Sequence, residues 1–175
     1  MKKLISLILA VAMVLCVLSF ASAEETYRVA MITDSGDITD QSFNQTTYES
    51  CKAFCEANGI DFNYFKPTGD SDAERIAQVE AAIDEGYNVI VMPGYLFAAA
   101  IGECQPLYPD VKFIALDVSE DDLTTNGVDL SNANNLFSAV YQEELSGYMA
   151  GYAAVKLGYK KLGFLGGMEV PAVQR

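Results

Sequence analysis

Short apolar runs alternate with amphipathic segments along most of this chain. The apolar runs have the length and residue content of β-strands, and each ends in a polar or glycine-containing loop. They predict strands over residues 27–33, 61–66, 88–92 and 112–116, with a fifth strand over residues 126–130. The run at 88–92 is almost continuously apolar, which is typical of a strand that helices cover on both faces.

Helix signals separate these strands. Ser42 stands where an N-cap is expected, and Gly59 stands where a helix would end. Residues 71–74 have the pattern of a capping box, after which apolar residues recur at helical spacing as far as Gly86. A third helix is predicted over residues 96–107. This alternation of strands and helices predicts an α/β fold with a doubly wound parallel sheet.

The last part of the chain predicts the beginning of a second α/β unit. A helix over residues 142–157 carries Gly147 and Gly151 one turn apart, where small residues permit close helix packing. A strand over residues 161–165, a Gly-Gly turn and a helix start at Pro171 follow. This pattern indicates the first strand of a truncated second lobe, and a frayed natural end is the alternative.

The amino terminus has the pattern of a cleaved export signal. A basic head, residues 1–3, precedes an apolar run over 4–20 that ends in Ala-Ser-Ala. A transmembrane anchor is the alternative, but the run is short for a span of about 20 residues. Cleavage after Ala23 would begin the mature chain at Glu24. Cys16 lies inside the apolar run and follows a leucine, so it is interpreted as a signal-peptide residue and not as a lipidation site.

These signals divide the chain into four predicted parts. A signal peptide precedes an N-terminal α/β lobe, a crossover or hinge helix and the start of the second lobe. Their predicted boundaries are residues 1–23, 24–140, 141–160 and 161–175.

Charge and composition exclude several function classes. Lys and Arg number 11 against 24 for Asp and Glu, a net charge of -13 that argues against a nucleic-acid partner. The sequence has no His, which excludes Ser-His-Asp and Cys-His catalytic centres, histidine zinc sites and haem His ligands. It also has no phosphate-binding loop or dinucleotide-binding glycine motif after a strand.

The cysteines beyond the predicted signal are Cys51, Cys55 and Cys104, an odd number that cannot pair completely within one chain. Cys51 and Cys55 lie one turn apart on a predicted helix, and we favour small core residues over a metal or redox pair. No metal ligand, cofactor or catalytic residue is predicted.

Polar and aromatic residues follow the predicted strands at the edge where doubly wound sheets bind ligands. The candidate ligand-binding residues are Asp34, Ser42, Phe43, Asn44, Gly94, Tyr95 and Asp117. Each also has a structural interpretation as a turn, cap or core residue, but together they predict a site. Two carboxylates and an aromatic ring favour a neutral or cationic ligand that has N–H or O–H donors and a flat ring. Asp37 and Asp40, in the first loop, are interpreted as solvated turn acids.

Five stretches of the sequence resemble one protein family in the same order. They are MITDSGDITDQSFNQTTYE, VIVMPGYLF, VKFIALD, YQEELSGYMAGYAA and KLGFLGGMEVPAVQR, and they cover nearly the whole predicted mature chain. The combination of SFN, GYMAGYAA and GFLGGM in this spacing is specific. The chain therefore resembles the basic-membrane-protein (BMP) family of ABC-transporter substrate-binding proteins, which includes bacterial purine nucleoside receptors.

The resemblance implies a two-lobed receptor of the type 1 periplasmic-binding-protein fold, exported to the periplasm or the outer face of the plasma membrane. Such a receptor hands a small solute to a permease and an ATPase in the membrane. The resemblance implies that Phe43 stacks on a nucleoside base. It also implies that Asn44 and Asp117 hydrogen-bond the base edge, that Asp34 lines the site and that Gly94 lets backbone approach the ligand.

Some alternatives stay open at this point. The family is commonly lipid-anchored, whereas this signal lacks a convincing lipidation site, and some members bind flavins or other solutes. An exported α/β hydrolase could instead use Asp34 and Asp117 as an acid/base or metal pair. A sugar-binding or sensor protein of the same fold is a further alternative.

Overall fold

The computed structural model describes residues 26–174, so the predicted signal peptide with Cys16 lies outside the described residues. Strands alternate with helices along the chain. The strands are Arg28–Ile32 (β1), Asp61–Phe65 (β2), Val89–Pro93 (β3), Lys112–Leu116 (β4) and Leu136–Ala139 (β5). The helices are Phe43–Asn58 (α1), Asp72–Asp84 (α2), Ala98–Leu107 (α3, after a 3-10 turn at Tyr95–Phe97), Glu120–Thr125 (α4), Glu143–Lys156 (α5) and Pro171–Gln174 (α6).

The strands form one parallel sheet in the order β2-β1-β3-β4-β5. The chain winds outward from β1 to β2, returns past β1 to β3 and then continues in the opposite direction. The winding therefore reverses between β1 and β3, and a crevice opens outside the carboxyl ends of the strands at such a point. This architecture confirms the predicted doubly wound α/β sheet.

Strand β1 is buried on both faces of the sheet. Val29 and Met31 pack on the side of α1, where Cys55 is also buried. Ala30 and Ile32 point to the opposite face and join the larger core cluster. In that cluster α3 packs on the sheet, and Phe97, Ile101 and Phe113 are among its fully buried side chains. Successive side chains of a strand point to opposite faces of the sheet, and here both faces are buried. The central strands therefore have continuously apolar sequences.

Local sequence signals fix the ends of the first helices. Ser71 accepts a hydrogen bond from the Glu74 N–H while the Glu74 carboxylate accepts one from the Ser71 N–H, so the predicted capping box is confirmed. Gly59 ends α1 with φ of 66°, in the left-handed region that glycine adopts without steric cost.

The predicted fifth strand is misplaced in the sequence. Residues 126–130 form no strand, because Gly127 turns with φ of 85° and the chain continues as a loop. Strand β5 begins at Leu136, which pairs with β4 directly after the buried Asn135. The Asn135 amide donates to one backbone carbonyl of α3 and to two of the connection between α3 and β4, and this anchors the loop before the strand starts.

The predicted strand over residues 161–165 is also wrong, since these residues have no regular secondary structure. They are exposed, and a strand needs a neighbour for its backbone hydrogen bonds. Gly147 and Gly151, where small residues permit close packing, have no close neighbour between residues 26 and 174. A Cβ built on either glycine meets no atom of the described chain within 4 Å. Between residues 26 and 174, no helix combines the length and apolarity needed to cross a membrane.

Gly102 offers a stability test of the contact between α3 and the loop that follows α4. A Cβ at this position would lie 2.1 Å from the carbonyl oxygen of Asn126. We expect Gly102→Ala to lower the free energy of unfolding by about 2 kcal/mol or more, because the two backbones must separate. Urea denaturation followed by circular dichroism measures the change. Glu103→Ala, at an exposed position of the same helix, should stay within about 0.5 kcal/mol of the parent, and equal loss in both variants would contradict the contact.

Candidate functional site

The carboxyl ends of β1, β3 and β4 meet at one edge of the sheet, which we call the carboxyl edge. Hydrogen bonds between backbone groups extend the pairing just past the strands. The N–H of Gly94 donates to the Leu116 carbonyl at 2.7 Å, and the N–H of Asp117 donates to the Ala139 carbonyl at 2.7 Å. The loops that begin at Asp34, Gly94 and Asp117 therefore all leave the sheet at this edge.

The loop after β1 is held by the side chain of Asn44. Its Nδ2 donates to Asp34 Oδ1 at 2.8 Å and to Asp40 Oδ2 at 2.9 Å, and its Oδ1 accepts the Asp34 N–H at 3.2 Å. Asp34 Oδ1 also accepts the Gly36 N–H at 2.7 Å. Asn44 is only 4% exposed, whereas Asp34 and Asp40 are half-buried, so the network is partly shielded from water.

Asp40, and not Ser42, caps α1. Ser42 occupies the N-cap position and is exposed, but its side chain makes no capping hydrogen bond. The Asp40 carboxylate instead accepts the backbone N–H groups of Ser42, Asn44 and Gln45. Burial raises the pKa of Asp40, but the hydrogen bonds from Asn44 and these N–H groups outweigh it, so the pKa lies below the ordinary value of 3.8. Asp40 is half-buried and accepts the N–H of the residue two positions on, as a turn acid does, and it caps α1 in addition.

Asp37 has a different environment in the same loop. Its carboxylate pairs with Lys66 at 2.6 Å and accepts the Thr39 hydroxyl at 2.9 Å. These contacts, the Lys66 hydrogen bond first, hold the pKa of Asp37 below its ordinary value. The side chain is about half exposed, so the pair ties the loop to the end of β2 without a large energetic contribution.

Gly94 brings the end of β3 close to Asp34. Its φ of 114° is a conformation that favours glycine. A Cβ at this position would lie 3.7 Å from Asp34 Oδ2. The following residue, Tyr95, is half-buried and donates its hydroxyl to the Met168 sulfur at 3.4 Å. Asp34, Asn44, Gly94 and Tyr95 therefore form one side of the carboxyl edge.

Phe43 and Asp117 lie together on a cavity of about 390 Å³. The other lining residues are Tyr141, Gln142, Glu143 and Ser146. The Phe43 and Tyr141 rings meet edge to face, with centroids 6.1 Å apart and planes at 81°. Asp117 has φ of 59°, a left-handed conformation that is uncommon outside glycine and occurs at functional sites. The cavity thus combines aromatic faces with carboxylates.

Sequence reasoning missed Tyr141 and Glu143 as cavity residues. Burial raises the pKa of the Tyr141 phenol, and the neighbouring Asp117 carboxylate raises it further. The phenol therefore stays protonated at neutral pH and can donate a hydrogen bond. Both residues stand in the stretch YQEELSGYMAGYAA, but their place beside Phe43 could not be predicted because the strand before them was misplaced.

The thiols and a second cavity lie away from these residues. Burial raises the pKa of Cys51 to about 11 and that of Cys104 to about 12, so neither is a reactive thiolate at neutral pH. Across residues 26–174, no group of three or more potential metal ligands occurs. A cavity of about 590 Å³ lies at the amino end of β4, next to Lys112 and Asn135, and no predicted site residue lines it.

Comparison with known proteins gives a family match over almost the whole described chain. The model of the Bmp family, described as "ABC transporter substrate-binding protein PnrA-like", matches residues 27–175. An uncharacterized lipoprotein of Pyrococcus abyssi is 28% identical over 82% of this chain and 34% of its own length. The ABC transporter nucleoside-binding protein BmpA of Lactococcus lactis is 26% identical over 85% of this chain and 40% of its own length. The chain thus spans about a third to two fifths of these relatives.

Solved structures share the fold. A solute-binding protein of an ABC transporter system from Aeropyrum pernix superimposes with a TM-score of 0.63 at 24% identity, over 83% of this chain and 39% of that one. A solute-binding protein from Conexibacter woesei gives a TM-score of 0.60 at 24% identity, over 84% and 46% of the two chains. The similarity places the parallel sheet among solute-binding proteins of the periplasmic-binding-protein fold.

Asp40→Ala tests the cap of α1. We expect the free energy of unfolding at pH 7 to fall by about 1 kcal/mol, because three N–H groups lose their acceptor. The lowered pKa of Asp40 means that its contribution is complete above about pH 5 and is lost as the pH falls below about 4, through the folded-state pKa. Thermal denaturation between pH 3 and 7 should therefore show the two proteins converging in acid. Ser42→Ala is the control, and a larger loss there than at Asp40 would contradict the assignment.

Proposed function

Because the chain belongs to the Bmp family of PnrA-like ABC transporter substrate-binding proteins, we propose that it is part of an extracytoplasmic receptor for a purine nucleoside or a similar heteroaromatic solute. The observation that carries the ligand class is the cavity in which Phe43 and Tyr141 stand beside Asp117 and Glu143. A flat ring that carries N–H and O–H donors fits such walls. The nucleoside-binding relative from Lactococcus lactis supports the same ligand class.

Each candidate residue has a role in this proposal. The Phe43 ring stacks on the base, and the Asp117 carboxylate accepts hydrogen bonds from N–H groups on the base edge. Asp34 and the backbone at Gly94 line the adjoining part of the site. Tyr95, the residue after Gly94, forms the border of this part. Asn44 belongs to the site through its contacts with Asp34. Ser42, exposed at the start of α1, lies at the margin and contributes least.

A second lobe completes the site in this proposal. Helix α5 has no buried residue, and large apolar side chains are exposed along it and beyond it. They are Leu145, Tyr148, Met149, Tyr152, Val155, Leu157, Tyr159, Leu162, Phe164, Leu165 and Met168. So many exposed apolar side chains mark a surface that is covered by other protein. We assign residues 141–160 to the crossover and residues 161–175 to the start of that second lobe, which supplies the opposite wall of the site.

The proposed partners and location follow from the family. A permease and an ATPase in the membrane would receive the solute, and the protein would act outside the cytoplasmic membrane. The Pyrococcus relative is a lipoprotein, so attachment to the outer face of the membrane is the expected arrangement. In this proposal the protein binds and releases its solute without converting it.

Phe43→Ala tests the stacking wall. In the full-length protein, we expect the Kd for a purine nucleoside to rise about 5- to 150-fold, because stacking on an aromatic side chain contributes about 1–3 kcal/mol. Isothermal titration calorimetry measures the change. Phe54→Ala is the matched control, since Phe54 is exposed on the same helix. If both variants bind as the parent does, the stacking role is wrong.

Asp117→Asn tests the carboxylate. Asparagine tolerates the left-handed backbone, so the substitution removes the charge without straining the turn. We expect the Kd to rise at least tenfold, because a buried ligand donor loses its charged acceptor. Asp110→Asn, an exposed acid before β4, is the control and should leave the affinity unchanged. An unchanged affinity in Asp117→Asn would place the ligand elsewhere.

A further inference from the structure

The cavity at the amino end of β4, which we call the amino-edge cavity, has the size of a small-molecule site. It has a volume of about 590 Å³ and lies between α3, the start of β4 and the loop over residues 127–135. Ligand cavities in proteins typically have about 300–1,000 Å³. Lys112 begins β4 at this cavity, whereas Asp117 follows the other end of the strand, about 16 Å away at about 3.3 Å per residue. The amino-edge cavity is therefore separate from the candidate site.

Two buried amides with fixed orientations form the inner wall of the amino-edge cavity. Asn135 is 8% exposed and Gln105 is 7% exposed. The Nδ2 group of Asn135 donates to three backbone carbonyls, which can only accept hydrogen bonds. Asn135 Oδ1 is therefore the atom that faces Gln105, and it accepts Gln105 Nε2 at 2.6 Å. This contact leaves Gln105 Oε1 as the remaining acceptor of the pair.

Gln105 Oε1 has no hydrogen-bond donor among the described residues, although Gln105 lines the cavity. An amide oxygen that is removed from bulk water and has no donor is unfavourable. Neighbouring groups cannot reorient to supply one, because the contacts of Asn135 hold the Gln105 amide in place. An O–H or N–H group of a bound molecule would satisfy this acceptor.

The rim of the amino-edge cavity carries further polar groups. Lys112 and Asn134 line it and are both exposed. Within residues 26–174, Lys112 forms no ion pair and the Asn134 amide forms no hydrogen bond through its side chain. The Lys112 ammonium group can only donate, whereas the Asn134 amide can donate and accept. Together with Gln105, these groups require a ligand that donates hydrogen bonds and also accepts them.

Asp129 balances the charge of Lys112 in the same cavity. Its carboxylate accepts the hydroxyl and N–H groups of Ser131 and the amide of Asn132. These hydrogen bonds, that of the Ser131 hydroxyl first, hold the pKa of Asp129 below its ordinary value, so the group is ionised at neutral pH. One cation and one anion in the wall, in a chain of net charge -13, favour an uncharged ligand over an anion.

The apolar part of the wall comes from prolines and not from aromatic rings. Pro106 and Pro109 line the cavity, and no aromatic side chain is among the described lining residues. The cavity therefore does not offer the stacking surface that a flat heteroaromatic ring requires.

We propose that the amino-edge cavity binds a small uncharged polyhydroxylated solute, of the class of monosaccharides and cyclic polyols. One hydroxyl group donates to Gln105 Oε1, and others accept from Lys112 and Asn134. A hydroxyl group both donates and accepts, which matches this mixture of polar groups, and the C–H face of the solute packs on Pro106 and Pro109. This site goes beyond the proposed function, because it shares no residue with the cavity of Phe43 and Asp117.

Calorimetric titration of the full-length protein with glucose, galactose, ribose and myo-inositol tests the site. We expect at least one of the four to bind with a Kd of about 1 mM or lower. Lys112→Met and Asn134→Ala should each raise that Kd at least about fivefold, because each removes a hydrogen bond to the solute. Both residues are exposed, so the variants leave the buried amide pair intact. Lys52→Met, at an exposed position of α1, is the matched control and should bind as the parent does.

Two results would overturn the proposal: none of the four solutes binds to the parent protein, or the Kd is the same in Lys112→Met, Asn134→Ala and Lys52→Met. Phe43→Ala separates this inference from the proposed function. We expect it to leave the Kd of the bound polyol unchanged, and we expect Lys112→Met to leave the Kd of a purine nucleoside unchanged. A polyol that loses its affinity in Phe43→Ala but not in Lys112→Met would occupy the carboxyl edge and would also overturn the amino-edge site.

Discussion

The parallel pairing of β1 with β3 is the constraint on which the rest of this structure depends. Because the chain leaves β1 for β2 and then returns to pair β3 with β1, helices must cover both faces of the sheet. That burial explains the continuous apolar sequence of the central strands. The same pairing sets the ends of β1, β3 and β4 side by side, so residues far apart in sequence, such as Asp34 and Gly94, become neighbours.

Much of the fold could be predicted because its signals are local. The capping box at Ser71, the left-handed Gly59 and the apolar runs of β1 to β4 each act within a few residues. The fifth strand could not be located, because its register depends on the buried Asn135 and on pairing with β4. In the same way, residues 161–165 have strand-like composition but no neighbouring strand in the described part of the chain.

The candidate site shows the same division between local and long-range information. The order of strands was sufficient to place Asp34, Phe43 and Asp117 at the carboxyl edge. The residue that caps α1 could not be predicted from the sequence. Ser42 has the residue type and the position of an N-cap, but the positive φ of Gln41 lets the Asp40 carboxylate reach the start of the helix. Tyr141 reaches Phe43 across 98 positions of sequence, a contact that only the assembled sheet creates.

We propose that the carboxyl edge forms half of a receptor site for a flat heteroaromatic solute. The most direct measurement is to purify the full-length protein under native conditions, denature it, identify the released molecules by mass spectrometry, and titrate the emptied and refolded protein with purine nucleosides. We expect an intact purine nucleoside in the released fraction, or stoichiometric binding of one on titration. Release of a sugar or flavin without any nucleoside binding, or conversion of the nucleoside to free base, would contradict it.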